Sequence, residues 1–400
     1  MAGQTTRTPA PPDASRRRPP SPADRPATRG PRRDLRRHLR RLWLPLGIFA
    51  ASRLVIYAVF PMARLLPGAG GDVSRYFGYW DSAWYLQVAT QGYPTHLVPA
   101  PGQTNHAFFP LYPLLIRFGH NLTGLGALKV GIAINLLAAG LAMAVIWLLV
   151  ERLLDSTAAT RSVILLSFFP WAFIFSFAYS EGLLLLFSSV CLLALVEERW
   201  AIAGMAALLA GAERPDGILL ALPCAWAALI AIRNRKEWKA LLAPALAPWG
   251  LVAFFLYLQA HTGDLLANVH ARAHGWQTSG VGLNVSAGLK SISVWIHNPG
   301  INPNYPGSVL SIGLFVVALV LMARWRPPAI LWLYTVPVVV LGVIFDTFAS
   351  LPRFALAAFP LLAAIARPIK GPWFTVVVAA SAAFMAILFV LVGSTQFLTP

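Results

Sequence analysis

Trp80-Asp81-Ser82-Ala83-Trp84-Tyr85-Leu86 is followed by Gln91-Gly92-Tyr93-Pro94 and then by Ala107-Phe108-Phe109-Pro110-Leu111-Tyr112-Pro113. This stretch is polar and aromatic, and it carries one central carboxylate. It comes straight after the first hydrophobic span, and almost everything beyond it is apolar. A lone carboxylate between Trp and Tyr at the edge of apolar segments is costly to place, so it points to function.

The apolar surroundings settle the class. The chain has 400 residues, of which 57% are hydrophobic and 12% charged, and its mean hydropathy is +0.64. Soluble domains are about 45–50% apolar and about 25% charged. The fold class is therefore an all-α polytopic membrane protein. Apolar spans lie at roughly 43–63, 126–150, 160–179, 181–197, 200–212, 216–232, 240–260, 309–323, 328–346, 352–367 and 372–395. They must be helices, because lipid satisfies no backbone polar group. Cys191 and Cys224 both sit inside apolar runs, and no disulfide framework or metal-binding pair is present.

Charge gives the sidedness. Twelve of the 32 Lys and Arg residues fall in residues 1–41, a Pro- and Arg-rich tail with almost nothing to bury. Such a tail is expected to be disordered. It resembles a cytoplasmic segment touching anionic lipid more than a nucleic-acid arm, since no aromatics interleave. The inter-span loops on the tail's side hold 23 basic residues with the tail, and the opposite side holds eight. The first side is read as cytoplasmic. Asp72, Asp81, Glu181, Glu213, Asp216, Asp264 and Asp346 then share the extracytoplasmic face with Arg214 and Arg353. Residues 42–400 form the membrane domain. Two long outer loops, 64–125 and 261–308, belong to it, and long ordered loops are usually functional. Phe77–Val88 is read as a short interfacial helix.

Each motif has two readings. Asp81 is either a base or acceptor-positioning carboxylate, or else a helix N-terminal carboxylate or an ion-pair partner for Arg75. Asp72, in Gly70-Gly71-Asp72-Val73-Ser74, is either a second site carboxylate or ordinary turn chemistry. Glu181, after Tyr179-Ser180, either bonds a sugar hydroxyl or caps the next helix. Arg214, in Glu213-Arg214-Pro215-Asp216-Gly217, either binds phosphate or pairs with Asp216 or Glu213. Arg353 stands at the start of an apolar span, seven residues after Asp346, where an arginine meets a carboxylate or a lipid phosphate. The histidines show no metal-binding spacing, and there is no Gly-rich phosphate loop. No metal or other cofactor is predicted.

The ordered set Trp80-Asp81, Gly92-Tyr93, Ala107-Phe108-Phe109-Pro110, Tyr179-Ser180-Glu181, Arg214-Pro215-Asp216-Gly217 and Pro352-Arg353-Phe354 resembles the PIG-V family, the enzymes similar to GPI mannosyltransferase II, over about residues 43–367. The resemblance implies a GT-C bundle of roughly 10–12 transmembrane helices in the plasma membrane. It implies transfer of mannose from a polyprenyl-phosphate donor to a lipid, glycan or protein of the cell envelope, with Asp81 as the catalytic base. Arg353 and Arg214 would meet the donor phosphate. Trp80, Tyr85, Tyr93, Phe108, Phe109, Tyr179, Glu181, Asp72 and Asp216 would line the substrates. Membrane lipids are partners and nucleic acid is not. The rival reading is a transporter or flippase for an envelope lipid or polysaccharide precursor, which would place charges near mid-span in broken helices.

Overall fold

In the computed structural model the apolar runs are mainly helical among the described residues. The structure describes residues 31–65, 76–98, 102–276, 293, 296–297, 304–344 and 351–394. Among the described residues there is no strand. In chain order the helices are α1 (Pro31–Leu65), α2 (Asp81–Gln91), α3 (Leu111–Thr123), α4 (Ala127–Leu153), α5 (Ser156–Ser167), α6 (Glu181–Val196), α7 (Trp200–Glu213) and α8 (Ala221–Arg235). They continue as α9 (Leu242–Leu246), α10 (Trp249–Thr262), α11 (Ala267–Trp276), α12 (Asn304–Trp325), α13 (Ala329–Ile344), α14 (Leu351–Ala357), α15 (Pro360–Ala366) and α16 (Pro372–Ser394). Short 3₁₀ turns lie at Asn105–Ala107, Pro170–Ser176, Pro215–Leu220 and Trp238–Leu241.

Among the described residues, six segments are long and apolar enough to cross a bilayer: Arg41–Leu65, Ala127–Leu153, Pro215–Arg235, Trp238–Thr262, Gly307–Trp325 and Pro372–Val392. The other five expected spans are shorter or broken. Residues 160–179 bend by 74° between α5 and the Pro170–Ser176 turn, because Pro170 cannot donate the helical hydrogen bond that would carry α5 onward. Residues 352–367 divide into α14 and α15. Three helices, α6, α7 and α13, have 16, 14 and 16 residues.

Two local expectations are corrected. The tail was expected to be disordered to residue 41, yet α1 begins at Pro31. The run from Arg32 to Arg41 lacks proline and is rich in arginine, a good helix former. Residues 1–30 lie outside the described residues. The interfacial helix begins at Asp81 rather than Phe77, and α3 occupies a part of the first outer loop that carried no helix assignment.

Small residues set the packing. Ala203, Ala206, Ala207 and Ala210 of α7 are all buried. Gly204 lies against the backbone of Leu242 and Ala243, and a Cβ on Gly250 would collide with the backbone of Leu208 and Ala212. This close approach of helix backbones is what small residues allow inside a membrane. Cys191 and Cys224, on α6 and α8, bring their Sγ atoms to 3.7 Å; both thiols are free and buried. On the first loop, Tyr76 and Phe77 pack with Phe60, Phe177 and Phe389, and the Tyr76 hydroxyl donates to the Phe389 carbonyl. This aromatic clasp holds the approach to Asp81 against the bundle.

Candidate active site

Asp81 is placed by a tight turn. The Ser82 N–H donates to the Tyr79 carbonyl at 3.2 Å, and Trp80 between them has φ 57 and ψ −132. That is the first central position of a type II′ turn, where glycine dominates. A bulky residue there costs on the order of 1–3 kcal/mol, and such outliers cluster at functional sites. Trp80 keeps the conformation by packing its ring on the main hydrophobic core. Asp81 thereby becomes the first residue of α2.

Glu181 is the first residue of α6 and is placed by Asn135, from the middle of α4. The Asn135 amide donates to the Ile174 and Phe177 carbonyls, both at 3.0 Å, and its Oδ1 accepts from the Gly182 N–H at 2.8 Å. A Cβ on Gly182 would stand 2.5 Å from Asn135 oxygen atoms, so only glycine fits beside Glu181. Arg353 lies on α14, whose last carbonyl, that of Ala357, accepts from the Tyr334 hydroxyl at 2.9 Å. Arg214 and Asp216 flank Pro215, which opens the 3₁₀ turn after α7.

These four elements bring five charged groups into one chain. Arg353 Nη1 is 2.8 Å from Asp81 Oδ2 and 3.5 Å from Glu181 Oε1. Arg214 Nη1 is 2.9 Å from the same Glu181 oxygen, and Arg214 Nε is 3.2 Å from Asp216 Oδ1. Glu181 is 7% exposed and Asp81 28%, so Asp81 is the member most open to an incoming group. The guanidinium of Arg353 also lies 5.9 Å from the centre of the Tyr179 ring. The chain borders a cleft of about 10 Å³, lined by Glu181, Arg214, Asp216 and Arg353 on its polar side and by Leu184, Phe354, Leu356 and Ala357 on its apolar side. That space holds about one water. Glu181 Oε2 is buried without a hydrogen-bond partner among the described residues.

Of the remaining predicted site residues, Tyr85 reaches this chain. Tyr85 shares a hydrogen bond of 2.8 Å with Ser180 Oγ, one residue from Glu181. The Tyr93 hydroxyl donates to the Phe108 carbonyl at 2.7 Å. Burial pushes both phenols well above the ordinary tyrosine range, so they stay protonated. Phe108 stacks on Trp84, with ring centres 6.0 Å apart. Phe109 packs away from the charges, in a buried cluster with Phe254, Leu258 and Ala267. Asp72, Asp346 and Arg75 lie outside the described residues. Among the described residues no group of three or more His, Cys, Asp or Glu side chains is gathered to hold a metal ion.

Two residues of the site were not predicted. Asn135 gives a weak sequence signal, a single amide in an apolar run. Glu213 is fully buried, next to Arg214 and beside Ser180.

A family model, Mannosyltransferase (PIG-V), matches residues 72–285. That is more than half of the chain. The chain belongs to the PIG-V mannosyltransferase family. Of the five charged groups of the site, all but Arg353 fall within the matched region. Two solved structures share the fold. ArnT from Cupriavidus metallidurans bound to undecaprenyl phosphate superposes with a TM-score of 0.53 at 16% identity, over 86% of this chain and 69% of that one. Archaeal oligosaccharyltransferase AglB from Archaeoglobus fulgidus, in complex with an inhibitory peptide and a dolichol-phosphate, gives 0.50 at 14% identity, over 91% of this chain and 56% of that one. No curated protein matches the chain. This PIG-V family member is an integral membrane glycosyltransferase of the GT-C fold.

Proposed function

We propose that the protein transfers mannose from a polyprenyl-phosphate donor to a hydroxyl of a cell-envelope acceptor, with inversion at the anomeric carbon. The observation that carries this reading is the charged chain from Asp81 to Asp216, which borders a cleft with one apolar wall. A lipid-linked phosphate needs that combination: guanidinium groups for the phosphate and an apolar surface for the first units of its chain. Both fold relatives were captured with a polyprenyl-type phosphate, which supports the donor class. Family membership supports mannose as the sugar.

In this reading the donor phosphate takes Arg353 as its partner, with Arg214 second, through charge-assisted hydrogen bonds. Arg353 then leaves Asp81, and the freed carboxylate faces the acceptor. The acceptor oxygen attacks the anomeric carbon as the bond from that carbon to the phosphate oxygen breaks. The hydroxyl proton passes to Asp81. The polyprenyl phosphate leaves from the opposite face with the electron pair, and the two guanidinium groups meet its growing charge. A single displacement inverts the configuration. Glu181, bonded to both arginines, spaces them. The enzyme works in the plasma membrane with its N-terminus cytoplasmic and the site on the outer face, as the 23-to-8 distribution of basic residues indicates.

Asp81→Asn tests the assignment, because it keeps size and removes basicity. General-base catalysis is worth about 10²–10⁴-fold, so transfer in purified membranes should fall by at least that range while the protein still inserts. Near-normal transfer by Asp81→Asn would remove Asp81 from the chemistry.

A further inference from the structure

Glu213 ends α7 and is fully buried, and the transfer chemistry gives it no role. It stands next to Arg214, yet Arg214 already holds Glu181 at 2.9 Å and Asp216 at 3.2 Å. Tyr85 from α2, Tyr93 from the first outer loop, Tyr112 from α3, Glu181 from α6 and Asp216 from the turn after α7 also face it. Ser180 lies within hydrogen-bonding reach of its carboxyl, and Ser180 Oγ is 2.8 Å from the Tyr85 hydroxyl. We infer that Glu213 is a positioning residue: as a neutral carboxylic acid it accepts from Ser180, which accepts from Tyr85, and this buried chain fixes the helix that carries Asp81 against the helix that begins with Glu181. The inference rests on the proposed transfer at Asp81.

Three observations carry it. The first is where the hydrogens go. A hydroxyl has one hydrogen to give. Tyr112 gives its own to the Gly131 carbonyl at 2.9 Å, and Tyr93 to the Phe108 carbonyl at 2.7 Å. Tyr85 and Ser180 are both buried, so their hydrogens need acceptors inside the protein. Tyr85 donates to Ser180, Ser180 donates to Glu213, and the carboxyl closes the chain.

The second is charge. Asp81, Glu181 and Asp216 set three carboxylates against the guanidinium groups of Arg214 and Arg353. The site therefore carries one formal negative charge before a donor arrives. An ionised Glu213 would add a second, deeper in the protein, and would oppose an anionic donor. A buried carboxyl whose neighbouring cation is already shared by two other carboxylates keeps its proton instead.

The third is placement. Tyr85 follows Asp81 by four positions on α2 and so shares its face, about 6 Å along the axis. Ser180 precedes Glu181, and Glu213 precedes Arg214. One buried carboxyl thus joins the elements that supply three of the five charged groups. The Tyr85 ring packs edge-on to Phe108 and to Tyr112, with both ring centres 5.0 Å away, so a shift at its hydroxyl becomes a shift of α2. Misplacing a reacting group by about 1 Å can cost about 100-fold in rate.

The test uses the full chain in purified membranes, with radiolabelled polyprenyl-phosphate mannose as donor. Label incorporated into the membranes' own acceptors is the readout. Glu213→Gln keeps an uncharged acceptor for Ser180, so transfer at saturating donor should stay within about threefold of normal. Glu213→Leu removes the acceptor, and the rate should fall about tenfold or more with the apparent donor KM unchanged. Ser180→Ala should fall as far. Joining it to Glu213→Leu should add little, because members of one hydrogen-bond network are not additive. Infrared difference spectra of the purified protein, unaltered minus Glu213→Gln, should show a carboxylic acid C=O stretch above the amide band.

Equal losses in Glu213→Gln and Glu213→Leu overturn the inference, as does full activity in Glu213→Leu or a missing carboxylic acid band. If Glu213→Leu does not insert, Ser180→Ala decides, and undiminished transfer there overturns the chain. No labelling by the unaltered protein, with the carboxylic acid band present, sinks the transfer reading instead and leaves the hydrogen-bond chain standing.

Discussion

Two buried arginine environments divide the work of this molecule. Arg53, in the middle of α1, is 5% exposed and has no carboxylate within ion-pair distance among the described residues. Its guanidinium donates to the Ala172 carbonyl at 2.8 Å, to Ser176 Oγ at 3.1 Å and to the Ser167 carbonyl at 3.2 Å, and it lies 5.0 Å from the centre of the Phe49 ring. Arg353 instead meets Asp81 and Glu181. The carbonyls around Arg53 are those exposed by the break between α5 and the Pro170–Ser176 turn. They are fixed dipoles with no competing occupant, so Arg53 is a structural pin. A carboxylate partner is different: an anionic ligand can displace it. A buried cation's partners thus distinguish a group held by fixed dipoles, such as Arg53, from one whose anionic partner a ligand could replace, such as Arg353.

The largest effect should come from breaking the exchangeable side. Arg353→Ala is expected to lower mannose transfer at least about 100-fold, the usual loss for one donor to a developing oxyanion, with only a small fall in Tm. Arg353→Lys should also lose most activity, because an ammonium lacks the planar fork. Unchanged apparent donor affinity in Arg353→Ala would erase the distinction. Arg53→Met probes the pinned side. It orphans the Ser167 and Ala172 carbonyls and should cost roughly 3 kcal/mol of stability, since bonds to a charged donor are worth about 1.5–3 kcal/mol. The measurement is thermal unfolding in detergent, with transfer per folded molecule preserved; a large loss of transfer at unchanged Tm would place Arg53 in the chemistry. The smallest effect belongs to Asn135→Ala, which sits between the two. Three hydrogen bonds go, at about 1 kcal/mol each before relaxation. Because Asn135 anchors Gly182, kcat should fall severalfold with little change in acceptor KM. Identical kcat would mean that Glu181 keeps its place without the amide.

The charged site was legible for a simple physical reason. Charges in an apolar chain are expensive, so Asp81, Glu181, Arg214, Asp216 and Arg353 stood out. Their pairing was only partly legible. Arg214 with Asp216 follows from proximity in sequence, whereas Arg353 with Asp81 spans 272 positions and needs the fold. Arg53 escaped notice because it belongs to no loop and so entered neither side of the charge count. Asn135 escaped because one amide in α4 does not disturb an apolar pattern. The start of α2 was misjudged because nothing in a tryptophan announces a positive φ. The kinked α5 segment passed for one continuous span because its composition is apolar on both sides of Pro170.

The shortness of α6 and α7 has a consequence for the surrounding lipid. At 1.5 Å per residue their 16 and 14 residues reach about 24 and 21 Å, against a hydrocarbon core of about 30 Å. Glu181 begins the first of these helices, and Arg214 follows the last residue of the second. The charged ends at Glu181 and Arg214 thus fall about 6 and 9 Å short of a full crossing. Hydrophobic mismatch of this kind costs fractions of a kcal/mol per Å. Under the proposed function, a lipid-borne phosphate would meet the arginines within the apolar layer rather than at its surface. Under that reading, acyl-chain length in the host membrane would set how readily the donor arrives.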